Sequence, residues 1–445
     1  MTVLLILLIL AGLGAFVYLF TEKTPEEEQT AQTAGTAAAP TQTPPPSLSQ
    51  LYEEELEKLE EENRPAPTGT PLQLPTSAPS EEEEEESAVP SPAPAATPAA
   101  AEEEQAEAEL YYYYSLLDDE EKAVYDQILE GIGNRSDLFG VNTDMDADRL
   151  SQISHFVFCD HPELFWFKGA YHYTDYGDHY SMEYAYTLTQ EEIDARQAEI
   201  TAATEEFLAG VDEDLSDYEK IKMVYDYLCF NTVYQNSPDD QNIYSTFVSR
   251  ETVCEGYARG AEYLLQQLGI PCILIEGNAN DDSHAWNAVL CDGKWYGMDV
   301  TWGDMDYGMK GSVMNAPEEL EANYAFLLSD DEEFYTQQGR VPDAEFFTGV
   351  LPACTDPSLR YYPSHGLFYE DTEDAWNAVQ ESLDGGETVF SCQFANEELR
   401  DIFLADIADR RYSDMVLKTT GAQQIHTGYC YNEEGNTIDI WYEAA

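Results

Sequence analysis

Three residues of types that together perform acyl transfer lie close in the chain: Cys254, His284 and Asp299. A cysteine thiolate can attack a carbonyl carbon, a histidine can move protons to and from the reacting groups, and a carboxylate can orient that histidine. These three are the candidate catalytic residues, and their chemistry requires no metal and no organic cofactor. It does require a fold in which the three side chains meet.

Cys254 is predicted to lie in the first turn of a helix. Apolar residues follow it at helical spacing, Gly269 and Pro271 indicate where that helix ends, and Thr252 is a suitable N-cap. Unpaired N–H groups and the dipole at a helix start favour an anion, and therefore a thiolate. The backbone N–H of Cys254 is also a natural donor to an oxyanion.

A β-hairpin is predicted over residues 284–301, with one strand at 284–291 and the other at 294–301. An Asp-Gly pair joins the two strands, and this pair is among the strongest signals for a two-residue turn. The turn places Cys291 opposite Lys294 and so fixes the register of the whole hairpin.

That register predicts that His284, Trp286, Asp299 and Thr301 share one face, because facing and alternate residues lie on the same side of a sheet. His284 and Asp299 are then diagonal neighbours, roughly 5–8 Å apart at Cβ. A hydrogen bond between them would fix the tautomer of the ring and leave its other nitrogen for the thiol.

Three aromatic residues of this segment are candidates for substrate contacts, although each also fits a packing role: Tyr244, Tyr257 and Trp286.

The segment resembles the core of the transglutaminase-like superfamily, which has a papain-like thiol fold. The resemblance rests on CEGYA at 254–258, SHAWN at 283–287 and GKWYGMDVTW at 293–302. It implies an α+β fold in which a helix packs on an antiparallel sheet. It also implies that Cys254 is the nucleophile, His284 the acid and base, and Asp299 the residue that orients His284. Glu255 stands where animal cross-linking enzymes of this family have Trp.

The chain carries 88 acidic against 20 basic residues, a formal net charge of −68. A nucleic-acid-binding protein needs a basic face to replace phosphate counterions, so this class is excluded.

Residues 1–20 are apolar and uncharged, which predicts a transmembrane anchor; a cleaved signal peptide is the alternative. Residues 21–108 are rich in Pro and Glu, which predicts a disordered linker. Together they suggest a protein held at a membrane by its N-terminal helix, with its folded part on the cell surface.

The remaining chain is divided into an N-terminal α+β region at 109–205, a catalytic domain at 206–345 and a C-terminal α+β domain at 346–445. Capping boxes starting at Thr189 and Ser216 predict two helices.

The C-terminal domain is predicted to hold a helix at 372–383, a strand at 387–394, a helix at 396–409 and a final hairpin that turns near Glu434.

Two metal-binding patterns are rejected. Asp144, Asp146 and Asp148 imitate the start of an EF-hand loop, but Arg149 and His155 stand where that loop needs Gly and Glu. A zinc set can be imagined from Cys254, Cys272, His284 and Cys291. Among the eight cysteines, however, there is no C-x-x-C pair, so no zinc site is predicted. A dense disulfide framework is not expected, although the sequence allows one disulfide bridge.

The sequence therefore predicts a cell-surface thiol enzyme that acts on amide bonds of proteins or peptides, by hydrolysis or by transamidation. The alternative is a non-catalytic binding or scaffold module on the same fold. The oligomeric state is not predicted.

Overall fold

The computed structural model describes residues 110–444, apart from residues 170, 281, 308, 312–316, 318, 319 and 321. The predicted anchor at 1–20 and the predicted linker at 21–108 lie outside the described residues. Within the described part, no helix is long and apolar enough to cross a bilayer. Helices and sheets are mixed along the chain, as predicted.

Residues 110–188 form three helices and a small antiparallel sheet. The helices are α1 (Tyr112–Ser115), α2 (Asp119–Gly133) and α3 (Ala147–Asp160); the strands are β1 (Leu138–Val141), β2 (Tyr171–Asp175) and β3 (Tyr180–Tyr184), in the order β1-β3-β2. The buried carboxylate of Asp160 accepts hydrogen bonds from the backbone of Tyr113 and Tyr114 and from the hydroxyl of Tyr125. Asp160 therefore ties the three helices together.

Both predicted capping boxes are confirmed. α4 (Gln190–Gly210) starts after Thr189, and α5 (Asp217–Asn231) starts after Ser216. In each case the hydroxyl accepts from the backbone N–H three residues on, and the Glu side chain there accepts from the cap N–H. Two short parallel strands follow, β4 (Val233–Tyr234) and β5 (Glu251–Thr252), and then helix α6 (Cys254–Gln267).

The central sheet is antiparallel and has four strands. They are β6 (Cys272–Ala279), β7 (Asp282–Cys291), β8 (Lys294–Met298) and β10 (Arg340–Pro342), arranged β10-β6-β7-β8. Strand β9 (Met309–Gly311) lies between β8 and β10 in the chain but belongs to another sheet. Helix α6 packs against β6 and β7, the two central strands of this sheet.

The predicted register of the β7–β8 hairpin is confirmed, with Cys291 opposite Lys294 and Asn287 opposite Met298. The predicted length of its second strand is wrong, because β8 ends at Met298. The next residue, Asp299, instead caps a single helical turn, α7 (Val300–Gly303).

The consequence is that the pairing of His284 with Thr301, predicted from an extended hairpin, does not form. As the N-cap of α7, Asp299 accepts a hydrogen bond from the backbone N–H of Trp302 through one carboxylate oxygen. The carboxylate is thus fixed by the helix start rather than by the pleat of a strand.

The C-terminal part contains the predicted helix, strand, helix and hairpin, together with three further helices and one further strand. Its elements are α8 (Ala344–Phe347), α9 (Tyr361–Ser364), β11 (Phe368–Tyr369), α10 (Thr372–Gly385), β12 (Val389–Phe394), α11 (Glu397–Ala408), α12 (Arg411–Thr420), β13 (Ile425–Asn432) and β14 (Thr437–Ala444). Of the unpredicted helices, α8 and α9 have four residues each and α12 has ten. The last of these, α12, follows α11 directly. It is separated from α11 by Arg410, whose φ of 71° is a left-handed conformation adopted without a glycine signal.

A five-stranded sheet, in the order β11-β12-β14-β13-β9, supports these C-terminal helices. Its edge strand β9 comes from the segment that follows α7. The C-terminal part is therefore joined by main-chain hydrogen bonds to the segment just beyond Asp299.

The central sheet contributes to two hydrophobic cores. One core brings residues of α4, α5 and α6, such as Ile200 and Leu264, against the sheet. The other brings the N-terminal helices, through residues such as Ile128 and Phe156, against Leu274 of β6. The N-terminal region thus packs directly on the strands that hold the candidate site.

Helix α6 passes close to its neighbours at Gly260, where an added methyl group would lie 2.7 Å from Cγ2 of Thr246. We expect Gly260→Ala to lower the free energy of unfolding by about 1–3 kcal/mol through overpacking. The measurement is the shift in the urea midpoint. The matched control is Gly133→Ala, in an exposed position where nothing lies within 4 Å of the added methyl. Equal midpoints for the two variants would contradict this account of α6.

Candidate active site

Cys254 is the first residue of α6, and it is the most accessible cysteine in the chain. All eight cysteines are unpaired; Cys254 is half-buried, and the other seven are buried. Because it opens the helix, its backbone N–H has no partner inside the helix and points out of the helix start. This position presents both a thiol and an N–H donor to the same space.

The predicted N-cap of this helix is wrong. The cap is Val253, which makes no side-chain capping bond. Thr252 instead donates from its hydroxyl to the backbone oxygen of Asp240, 2.5 Å away. Without a side-chain cap, more of the helix-start field is left for the thiol and for a bound oxyanion.

His284 lies near the start of β7, and its ring interacts with both Asp299 and Cys254. Nε2 lies 2.7 Å from Oδ2 of Asp299. The ring also interacts with the side chain of Cys254, and this interaction helps to raise the pKa of His284. His284 is 7% exposed, so this chain of contacts is shielded from bulk water.

Asp299 is buried, and both of its oxygens accept hydrogen bonds. Oδ1 accepts from the backbone N–H of Trp302 at 3.1 Å. Oδ2 accepts from the guanidinium of Arg340, with Nη2 at 2.5 Å and Nε at 3.2 Å, in addition to its contact with His284. Burial alone would raise the pKa of Asp299, but the charges and hydrogen bonds of His284 and Arg340 hold it at about 2.

Arg340 is the residue of this site that the sequence analysis misses. It is 2% exposed, and its guanidinium stacks 4.1 Å from the ring of Trp302 and 3.9 Å from the ring of Phe334. Nη1 donates to Oε1 of Gln338 at 2.6 Å. Arg340 reaches Asp299 only because β10 joins the edge of the sheet beside β6, a pairing without a local sequence signal.

The contacts of His284 set its charge. Burial lowers its pKa, but the charge and hydrogen bond of Asp299, together with the hydrogen bond and charge of Cys254, raise the pKa to about 9. At neutral pH the ring is therefore an imidazolium paired with the carboxylate of Asp299. The ordinary value is 6.5, so the imidazolium stabilises the folded state fully below that pH, and this contribution is lost as the pH rises through about 9.

Of the three aromatic residues predicted to contact the substrate, two are buried inside the protein and one is hydrogen-bonded to helix α4. Tyr257 is fully buried and donates to Oδ2 of Asp304 at 2.5 Å. Trp286 is fully buried, with its ring 6.0 Å from that of His284. The hydroxyl of Tyr244 donates to Glu199 on α4. Tyr257 and Trp286 therefore support the site from inside the protein.

Two other tyrosines lie within electrostatic reach of the thiol. Burial, followed by the charge of Cys254, raises the pKa of Tyr234. Burial and the charges of Asp299 and Cys254 raise the pKa of Tyr307. Their ring centroids are 4.3 Å apart, and both side chains are half-buried, so they form an aromatic pair near Cys254.

The residues rejected as metal ligands in the sequence have structural roles. Asp146 is the N-cap of α3 and accepts from the N–H of Arg149. Cys272 and Cys291 are buried in β6 and β7. Across the residues placed by the structure, a single set of side chains has metal-binding geometry, and none of its members belongs to the Cys254, His284 and Asp299 site.

The titration of His284 tests the electrostatics of the site. We expect its imidazole resonances, identified by their absence in His284→Gln, to titrate near pH 9. Asp299→Asn should move the midpoint towards 6.5, because it removes the charge that stabilises the imidazolium while keeping an acceptor. The control is Asp304→Asn, a buried carboxylate bonded to Tyr257, which should leave the midpoint unchanged. A wild-type midpoint near 6.5 would contradict the ion pair.

Arg340→Met tests the support of Asp299. It leaves a buried carboxylate with one cationic partner fewer, so we expect a loss of about 3–5 kcal/mol in the free energy of unfolding, measured by urea denaturation. The control is Arg411→Met, which removes a more exposed guanidinium paired with Glu373 and Asp406 and should cost much less. Similar losses in the free energy of unfolding for the two variants would contradict the role of Arg340 in supporting Asp299.

Part of the chain is similar to known proteins. A family model described as the transglutaminase-like superfamily matches residues 202–300. Kyphoscoliosis peptidase of Mus musculus and that of Homo sapiens are each 27% identical to this chain, in alignments covering 25% of it. Each alignment covers 20% of the relative, so this chain spans about a fifth of their length.

A crystal structure described as a TGase is also similar to part of the chain. It is 18% identical, with a TM-score of 0.23, and the match covers 30% of this chain and 44% of that one. The family match spans α5, the start of α6 and the hairpin that carries His284, and it ends one residue after Asp299. Residues 202–300 are therefore similar to the transglutaminase-like superfamily domain.

Proposed function

We propose that this protein is a thiol enzyme that acts on amide bonds of proteins or peptides through a thioester on Cys254. The observation that carries the proposal is the buried His284 side chain, which pairs with Asp299 and interacts with Cys254, while Asp299 in turn accepts from buried Arg340. A domain used only for binding has no need for these residue types in contact at an accessible thiol.

In the acylation step, Sγ of Cys254 attacks the carbonyl carbon of the substrate amide. A C–S bond forms, the C–N bond breaks, and the leaving amine takes the proton of the His284 imidazolium. The products are a free amine, a thioester on Cys254 and a neutral His284, still oriented by Asp299.

In the deacylation step, His284 takes a proton from an incoming water or amine, which attacks the thioester. The C–S bond breaks, and the thiolate of Cys254 returns beside the imidazolium. Water yields hydrolysis and an amine yields transamidation, so the same residues serve both outcomes. The N–H of Cys254 at the start of α6 is placed to stabilise the oxyanion in both steps.

The relatives support the class of reaction. The two curated proteins that match carry the name peptidase, which favours hydrolysis of peptide bonds. Glu255, buried beside the nucleophile and bonded to Arg259, is a further difference from the cross-linking enzymes that have Trp at this position.

We also propose where the reaction occurs. With residues 1–20 as an anchor and 21–108 as a spacer, the domain would act at the cell surface on proteins or peptides outside the cell. The high negative charge favours substrates that are neutral or basic, because acidic polymers are repelled.

The test is a peptide-library reaction of the full chain, scored by mass. Gain of water across a peptide bond indicates peptidase action, gain of water with loss of ammonia at glutamine indicates deamidation, and incorporation of an added amine indicates transamidation. We expect at least one of these from the wild type and none from Cys254→Ala. The matched control is Cys354→Ala, a buried cysteine outside the site, which should keep the activity. Product formation by Cys254→Ala equal to that of the wild type would overturn the proposal.

A further inference from the structure

A second cluster of chemically active side chains joins helix α3 to strand β6. His155 and Cys159 lie one helical turn apart on α3, and Glu276 projects from β6. The side chains of His155 and Glu276 are 9% and 4% exposed, and Cys159 is fully buried. The cluster therefore lies inside the contact between the N-terminal helices and the central sheet.

The cluster is separate from the Cys254 site. Glu276 pairs with Ala285 across β6 and β7, and the neighbouring Gly277 pairs with His284. Because successive side chains leave a strand on opposite faces, Glu276 and His284 use opposite faces of the sheet. A ligand held by Glu276 would thus brace the sheet from behind the site.

The side chains of Cys159 and Glu276 both approach the same ring nitrogen of His155. Nε2 of His155 lies 3.1 Å from Oε2 of Glu276 and 3.4 Å from Sγ of Cys159. A single N–H cannot point at both atoms. Tetrahedral zinc with ordinary bond lengths separates a ligand nitrogen from a ligand oxygen or sulfur by about 3.4–3.6 Å. These two distances need to change by only a few tenths of an ångström to hold the ion, and the ligand atoms of the three residues all lie within 4.8 Å of one another.

The donor types select the metal. A thiolate, an imidazole and a carboxylate form a set that suits Zn²⁺, whereas Ca²⁺ and Mg²⁺ prefer oxygen ligands alone. The thiolate and the carboxylate together carry two negative charges, so a bound Zn²⁺ makes the buried cluster neutral. Neutrality matters at this depth, because an unbalanced charge in the interior is costly.

The surroundings are compatible with a cation. Arg259 lies nearby, but its guanidinium is already paired with Glu255 at 2.9 Å and stacks on Phe158. The ring of Phe346 stacks on His155 with centroids 3.9 Å apart, which fixes the plane of the imidazole. His155 is thus held in position before any ion binds.

We propose that His155, Cys159 and Glu276 bind one zinc ion that braces the N-terminal helices against the sheet carrying His284. The rival arrangement uses the same atoms without metal, as an imidazolium–carboxylate pair beside a neutral thiol. The two arrangements differ in metal content and in the ionisation of Cys159, and both properties can be measured without reference to enzyme activity.

The experiment uses the full 445-residue chain carrying Cys254→Ala, so that the accessible thiol cannot bind metal. The protein is produced in zinc-supplemented medium and purified without chelator, because a buried site fills most readily during folding. We expect one zinc per chain by elemental analysis. The same protein produced with cobalt should show a thiolate-to-cobalt charge-transfer band and tetrahedral d–d bands.

The decisive variant is Cys159→Ser in this background. It should lose the charge-transfer band, and its metal content should be at least about tenfold lower than that of the parent protein. The matched control is Cys272→Ser, a buried cysteine at the start of the strand that carries Glu276, which should keep both. Less than a tenth of an equivalent of zinc in the parent protein would overturn the proposal, and this result needs no variant. A band that survives Cys159→Ser would overturn it as well.

Discussion

The carboxylate of Asp299 is buried between two cations, and the geometry of the site depends on this arrangement. One oxygen is held by the start of α7; the other accepts from both His284 and Arg340. A lone buried carboxylate would be protonated or would turn towards water. With Arg340 behind it, the carboxylate stays ionised, and it can orient His284 and stabilise the positive charge on its ring.

Each layer of the fold contributes to holding those groups in place. Helix α6 presents Cys254 because small residues let it lie closely against its neighbours, and β7 presents His284 from the middle of the sheet. β10 brings Arg340 to the sheet edge. The backbone N–H of Asp299 is itself fixed by the carbonyl of Phe326 at 2.9 Å. His284 and Asp299 are both buried, so the hydrogen bonds of the site operate largely out of water, where they are stronger.

The elements with strong local signals were predictable, and the contacts made by distant segments were not. The Asp-Gly turn fixed the hairpin register, and the capping boxes placed α4 and α5, because each signal acts within a few residues. The meeting of His284 with Asp299 was anticipated for a reason that was partly wrong, since Asp299 reaches the ring from a helix cap and not from an extended strand. Arg340 could not be found, because its role arises from a strand pairing with no local signal, and α12 was missed because Arg410 turns the chain without a glycine.

The reactivity of Cys254 towards iodoacetamide at neutral pH tests the central claim most directly. The other seven cysteines are buried, so the labelling rate read from the Cys254 peptide reports this thiol. If an imidazolium at His284 holds Cys254 as a thiolate, the wild type should react much faster than His284→Ala, and Asp299→Asn should fall between them. Equal rates in the wild type and in His284→Ala would show that the thiol is not activated, and the acyl-transfer account would be wrong.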